Sequence, residues 1–274
     1  MLTRRGLIAT VAAATAAAAL PGSAAHAALP EVDMEAVIKA AQIDPRRPDT
    51  ALTPGAKASV LEVERALQAR GLLAATYVDG HFGTSTIAAY AAYQRSLGYT
   101  GLDATGLPGP TSLRSLGSGR YTVVRAISPG SIVTLRGVQV NTRTRTMLLE
   151  AERLIGSTLT LTQGSYNTGN AASAGTHDGG GALDISVTNL STATRTTVVL
   201  QLRTVGFAAW LRNPSQGDWP YHIHAIAISD TDQSTAAQHQ AGDYYLGQNG
   251  LANRGPDDGP AVTPKRTWEE YQRM

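Results

Sequence analysis

Two short clusters late in the chain, His177 with Asp184 and His222 with His224, constrain the fold most, because they can act together only if distant segments converge. The first runs Gly175-Thr176-His177-Asp178-Gly179-Gly180-Gly181-Ala182-Leu183-Asp184-Ile185-Ser186, a small-residue loop leading into an apolar stretch that reads as a strand. Glycines let the backbone turn back between His177 and Asp184 without side-chain crowding. The second runs from Trp219 to Ile228 and alternates from His222 onward. His222 and His224 then share one strand face about 6 to 7 Å apart, with Ile223 turned away. One can hold a metal ion while the other meets water or substrate. Two imidazoles and one carboxylate fill three tetrahedral positions on Zn²⁺ and leave the fourth for water, as a hydrolytic site requires. Of the six histidines, His26 lies in a segment expected to be removed, His81 and His239 stand alone, and the remaining three all fall in these clusters.

The spacing resembles that of the zinc D,D-peptidases and related peptidoglycan-cleaving endopeptidases of the LAS group, whose pattern is S-x-H-x-x-G-x-A-x-D followed later by E-x-x-H, D-x-x-H or H-x-H. His177, Gly180, Ala182 and Asp184 match position for position, and Gly175 stands where the pattern has Ser or Thr. Tyr221, three residues before His224, cannot serve as the acidic base of the E-x-x-H branch, so the likeness is to the H-x-H carboxypeptidases. The resemblance implies His177, Asp184 and His224 as zinc ligands and His222 as a catalytic histidine. It also implies an S-G-Y-R stretch ahead of the first ligand, whose arginine meets the substrate carboxylate or the oxyanion. Here that stretch is Leu161-Thr162-Gln163-Gly164-Ser165-Tyr166-Asn167, without arginine. Gln163, Tyr166 and Asn167 are the candidate replacements, with Arg143 and Arg145 as upstream alternatives.

The N-terminus reads as an export signal, residues 1–27, with Arg4-Arg5, an alanine-rich apolar run to Leu20 and a small-residue cleavage site at Ala25-His26-Ala27. The paired arginines resemble a twin-arginine signal. The apolar run is short for a spanning helix, so no stable membrane insertion is expected after cleavage. Removing the two arginines from the 23 basic residues leaves a mature chain formally balanced against its 21 acidic ones. Neither charge nor any basic run with aromatics argues for nucleic acid. There is no cysteine, hence no disulfide and no thiol ligand or nucleophile.

Residues 28–51 read as a spacer, a short helical stretch around Glu35 to Ala41 followed by Pro45-Arg46-Arg47-Pro48. Residues 52–117 read as a three-helix unit: Val60, Leu61, Val63, Ala66 and Leu67 at helical spacing, a turn at Asp79-Gly80-His81-Phe82-Gly83, a helix through Ile87, Tyr90 and Gln94, then Thr111 to Leu116. This unit resembles the peptidoglycan-binding-like domain over about its full length, through Leu67-Gln68, Gly71, Asp79-Gly80-x-Phe82-Gly83-x-x-Thr86, Tyr93-Gln94, Leu97-Gly98 and Gly106-x-x-Gly109-x-Thr111. It is expected to contain its own core and to fold alone. Residues 118–274 read as the zinc D,D-peptidase-like domain, α+β with a small antiparallel sheet. Helices are expected at Thr144 to Leu154 and Thr192 to Val205, and strands at Leu159 to Gln163, Ala182 to Val187, Gly206 to Leu211 and His222 to Ile228. The tail from Ser229 is expected either to pack on this domain or to fray. The whole predicts a secreted or wall-associated Zn²⁺ peptidase that binds peptidoglycan through its N-terminal module, with a non-catalytic wall-binding protein as the alternative.

Overall fold

The computed structural model describes residues 28–274, so the expected export signal lies outside the described residues. The architecture is mixed α+β. The N-terminal part comprises β1 (Glu31–Asp33), α1 (Met34–Ile43), α2 (Lys57–Gln68), α3 (Thr84–Ser96), α4 (Pro110–Leu116) and β2 (Thr122–Val124). On α2 the expected three- and four-residue spacing places Val60, Val63, Ala66 and Leu67 in the core, facing Tyr90 and Tyr93 of α3 and Leu113 of α4. Two buried polar side chains pin the intervening turns. Glu64 accepts hydrogen bonds from the Asp79 and Gly80 amides (3.1 and 2.8 Å) and from the Thr86 hydroxyl (3.1 Å). Gln94 donates to the Leu107 carbonyl and accepts from the Gly106 amide, both at 2.8 Å.

Residues 28–51 are not a spacer. Strand β1 pairs in parallel with β2, Val32 opposite Val123, and α1 contributes Val37, Ile38, Ala40 and Ala41 to the same core as α2 to α4. Asp33 caps α1 by accepting from the Glu35 amide at 3.1 Å. Pro45, which suggests a linker, sits in the 3-10 turn that ends α1. The three-helix unit therefore does not own its whole core, which corrects the expectation that 52–117 folds alone.

The second part comprises the hairpin β3 (Ile132–Leu135) and β4 (Val138–Asn141), then α5 (Thr142–Ile155), β5 (Leu161–Gln163), β6 (Ala182–Ser186), α6 (Thr192–Thr204), β7 (Phe207–Arg212), β8 (His222–Ala227), α7 (Thr235–Tyr245) and α8 (Trp268–Gln272). Strands β5 to β8 form one antiparallel sheet in the order β5-β6-β8-β7. One face, carrying Leu183, Ile185, Phe207, Ile223 and Ala225, joins a core with Met147 and Leu148 of α5 and Val198 and Leu202 of α6. The other face carries Ala182, Ala208, Trp210 and Ile226, which pack on Ala237, Ala241 and Tyr244 of α7. Two-sided burial explains why β7 and β8 read as nearly unbroken apolar runs. The tail from Ser229 does not fray as a whole: Ser234 caps α7 by accepting from the Ala237 amide, and Thr267 with Glu270 makes a capping box on α8.

Helix α1 also joins the two parts. Its Gln42 amide donates to Gln233 (2.7 Å), and Arg46 just beyond makes a two-pronged pair with Asp243 (3.0 Å each). Lys39 reaches Glu270 (3.1 Å), and Glu35 holds Arg273 through two hydrogen bonds of 2.7 and 2.6 Å. The α1 residues that meet the second part, Glu35, Lys39 and Gln42, recur on one side of the helix, while Met34, Val37, Ile38 and Ala41 turn to the N-terminal core.

Two outcomes are expected. A fragment of residues 28–128 should melt cooperatively by circular dichroism, while 52–117, stripped of Met34, Val37 and Ile38, should show no cooperative transition. Burial pushes the Glu64 carboxyl up from 4.5 to about 7, with the hydrogen bonds from Gly80 and Thr86 offsetting part of the rise. Between those values the folded chain keeps a proton that the unfolded chain releases, so this group's contribution to stability falls as pH rises through that window. Urea denaturation across the range should therefore show the difference between wild type and Glu64→Gln moving in the variant's favour toward pH 7.

Candidate metal centre

Register places the cluster. In the β6–β8 pair Asp184 lies directly opposite His224 and Ser186 opposite His222, while across β7–β8 Trp210 faces His224 and Arg212 faces His222. Gln163 on β5 lies opposite Asp184. These side chains share the sheet face that α7 covers at its other end, since residues two apart point the same way. His177 enters from the loop before β6. That loop is clamped by hydrogen bonds from the Asn167 amide to the His177 carbonyl (2.9 Å), from Tyr166 to Gly179 (2.9 Å) and from Gly180 to Asp232 (2.7 Å). A Cβ on Gly179 would lie 2.6 Å from the Ser234 amide nitrogen, and one on Gly180 2.7 Å from the Asp232 Cβ, so the approach of the two segments requires glycine.

The three expected ligands converge. His177 Nε2 is 3.3 Å from both Asp184 Oδ1 and His224 Nδ1, and His224 Nδ1 is 2.8 Å from Asp184 Oδ1. A tetrahedral ion with bonds of about 2.0 to 2.1 Å has ligand-to-ligand edges near 3.3 Å, so two of the three separations already equal such an edge. All three residues are largely buried, His177 almost completely.

The hydrogen bonds on the far sides of the rings set the tautomers. His177 Nδ1 donates to the Gly164 carbonyl at 2.8 Å, leaving a lone pair on Nε2. The Gln240 amide nitrogen donates to the Gly250 carbonyl, so its oxygen faces His224 Nε2 at 2.7 Å and claims a proton there. A neutral His224 ring then presents a lone pair on Nδ1 to the Asp184 carboxylate. Burial alone would raise Asp184, but the facing imidazoles of His177 and His224 outweigh it and hold the carboxyl well below its usual range. Burial meanwhile holds the His224 pKa below its ordinary value despite Asp184. Three acceptor atoms thus point into one small space, and a cation satisfies them.

His222 is turned differently. Its Nδ1 donates to the Pro220 carbonyl at 2.8 Å, and its Nε2 stands 3.7 Å from Asp184 Oδ1, beyond hydrogen-bonding distance. It is half-buried, with Trp219 edge-on at 6.4 Å.

Of the residues proposed to replace the missing arginine, Gln163 is beside the cluster: its oxygen accepts from Asn170, and its amide nitrogen is buried without a partner. Tyr166 is committed elsewhere, its hydroxyl donating to Asp232 (2.7 Å) and accepting from Asn141 (3.3 Å). Asn167 is exposed. Arg143 is taken by Glu269 and the Ile228 carbonyl, and Arg145 is exposed on α5, the helix packed under the opposite sheet face.

Two contributors escape sequence reasoning. Gln240 lies on α7, whose only advance signal is Ala237, Ala241 and Tyr244 at helical spacing behind Ser234. Arg212, only 3% exposed, lies across from His222 with its guanidinium 4.8 Å over the Trp210 ring. Its Nη1 donates to the Asn249 carbonyl, its Nη2 has no partner, and it makes no ion pair among the described residues. Burial lowers its pKa from 12.5 to about 10, which leaves it a cation at neutral pH.

Comparison of the chain with protein-family models, with curated proteins and with solved structures returned no match.

Proposed function

We propose that this chain is a zinc-dependent peptidase acting on peptidoglycan stem peptides or cross-bridges, as a D,D-carboxypeptidase or endopeptidase. In this reading the protein is exported and held at the wall by its N-terminal part. The observation that carries the reading is the convergence of His177, Asp184 and His224 with both imidazoles fixed by carbonyl oxygens on their far sides, the arrangement that orients histidines toward a metal. Two histidines and one carboxylate fit Zn²⁺ and leave it an open position. Bound there, the ion would polarise a scissile carbonyl and lower the pKa of its water toward ~7.

The chain's own groups supply the rest. The Pro220 carbonyl fixes the proton of His222 on Nδ1, leaving Nε2 to take a proton from the attacking water and pass it to the leaving amine. The unpartnered donors Gln163 Nε2 and Arg212 Nη2 flank the cluster on the same sheet face and suit a substrate carboxylate or a developing oxyanion. Trp219 walls the side of the site next to His222. The peptidoglycan assignment rests on the motif resemblance in both parts of the chain. Among the described residues no helix is long and apolar enough to cross a membrane.

The mature chain should bind one Zn²⁺, and His177→Ala or Asp184→Ala should each lose most of it after dialysis, measured by elemental analysis. Full zinc content in both variants would remove the basis of the assignment. His222→Ala should keep its zinc while turnover falls roughly 100-fold or more, the scale expected for a positioned acid or base. Mass analysis of digested peptidoglycan reads the cleaved bond; an intact polymer that still sediments the zinc-loaded chain would identify a wall-binding protein instead of a peptidase.

A further inference from the structure

Of the three candidate ligands, Asp184 and His224 are fixed by the β6–β8 register, but His177 lies in a loop and needs another support. The turn after β5 supplies it. The Gly164 carbonyl accepts from His177 Nδ1 at 2.8 Å, and the Asn167 amide donates to the His177 carbonyl at 2.9 Å. Between these contacts Tyr166 has a φ of 55°, a left-handed conformation that a bulky side chain rarely adopts and that costs free energy. With Tyr166 held there, residues on both of its sides reach the same histidine. Such a conformation persists only where its surroundings over-determine it.

The phenol provides that constraint. Its hydroxyl donates to Asp232 Oδ2 at 2.7 Å and accepts from Asn141 Nδ2 at 3.3 Å. Both partners are themselves held. Asn141 also donates to Asp230 Oδ2 (2.7 Å) and caps α5 by accepting from the Thr144 amide (2.8 Å). Asp230 accepts in addition from the Thr144 hydroxyl (3.2 Å) and from the Asp232 amide (3.0 Å). Asn141, Thr144 and Asp230 have no exposed surface. Gly180 closes the arrangement: a Cβ there would stand 2.9 Å from the Tyr166 hydroxyl, and its amide donates to the Asp232 carbonyl at 2.7 Å. Asp232 thus grips the histidine loop through its backbone and the turn after β5 through its side chain. Burial and the nearby carboxylates of Asp230 and Asp232 push the phenol above its ordinary pKa, so it stays a proton donor at neutral pH.

We propose that Tyr166 is a positioning residue for the metal centre, locking the turn after β5 to Asp232 so that His177 Nε2 stays aimed at Asp184 and His224. The proposal rests on the reading of these three residues as a metal site. Tyr166 acts through His177, without touching metal or substrate, a different task from the oxyanion contact expected of it from sequence. Removing the hydroxyl lets the turn relax toward ordinary backbone angles and loosens the imidazole.

Chelator competition on the mature chain reads the zinc dissociation constant, and Co²⁺ in place of zinc reads the ligand geometry through its visible absorption. Tyr166→Phe should fold, weaken zinc binding about tenfold and alter the Co²⁺ spectrum, as expected for a group that orients a ligand. Asp232→Ala should do the same, and the double variant should bind no more weakly than either single one, because both break one contact. Asp232→Asn keeps an acceptor oxygen and should stay within about threefold of wild type. Tyr90→Phe removes a buried hydroxyl bonded to Ser112 at 3.0 Å in the N-terminal core, and it should lower Tm without moving the zinc constant or the spectrum. Wild-type affinity with an unchanged Co²⁺ spectrum in Tyr166→Phe overturns the proposal. So does an equal loss of affinity in Tyr90→Phe, or additive losses in the double variant. Failure of wild type to bind zinc overturns the metal site itself, and the proposal with it.

Discussion

The pairing of β6 with β8 sets Asp184 opposite His224, and the rest of the centre is arranged around that pair. A shift of one residue in this register would turn Asp184 onto the face covered by α5 and α6, burying a carboxylate among Ile223, Met147 and Leu202, and would turn Leu183 and Ile185 away from that core. The hydrophobic pattern therefore protects the site: Leu183 and Ile185 can reach their core only if Asp184 faces the other way. Packing, more than any polar contact, fixes where Asp184 and His224 point.

Within that frame the polar groups are deliberately over-supplied with acceptors. Gly164 and Gln240 each take a ring proton, which leaves His177 and His224 facing Asp184 with lone pairs. Nearby, Gln163 and Arg212 offer buried donors that no protein group accepts. A centre with unmet acceptors in the middle and unmet donors at the edge is poor as a structural core and well suited to receive a cation and an anionic or carbonyl-bearing ligand.

Much of this was legible in the chain itself. The alternation at His222 to Ile228 and the glycine loop before Asp184 predicted the strands that carry both clusters, and α2, α3, α5 and α6 fall where helical spacing places them. Three things were not legible. Helix α1 looks like part of a linker because it is short, Pro45 follows at once, and its polar side meets partners about two hundred residues away. Gln240 carries no local signal, since its role depends on a loop carbonyl at Gly250. Arg212 reads as the end of a strand, and only the β7–β8 register shows that it stands across from His222. Each omission involves a contact made across the chain, which spacing within one segment does not encode.

The contacts of α1 with the far end of the chain have a bearing on how the molecule is made. Glu35 with Arg273 and Lys39 with Glu270 close loops of more than two hundred residues. On a ribosome, α1 emerges before residues 233–273, which supply the partners of Gln42, Arg46, Lys39 and Glu35. Until then Glu35 and Lys39 stand without the partners that fix the two parts together. The alignment of the two parts accordingly follows the N-terminal core, and an interrupted synthesis leaves that core assembled with the polar side of α1 unpaired.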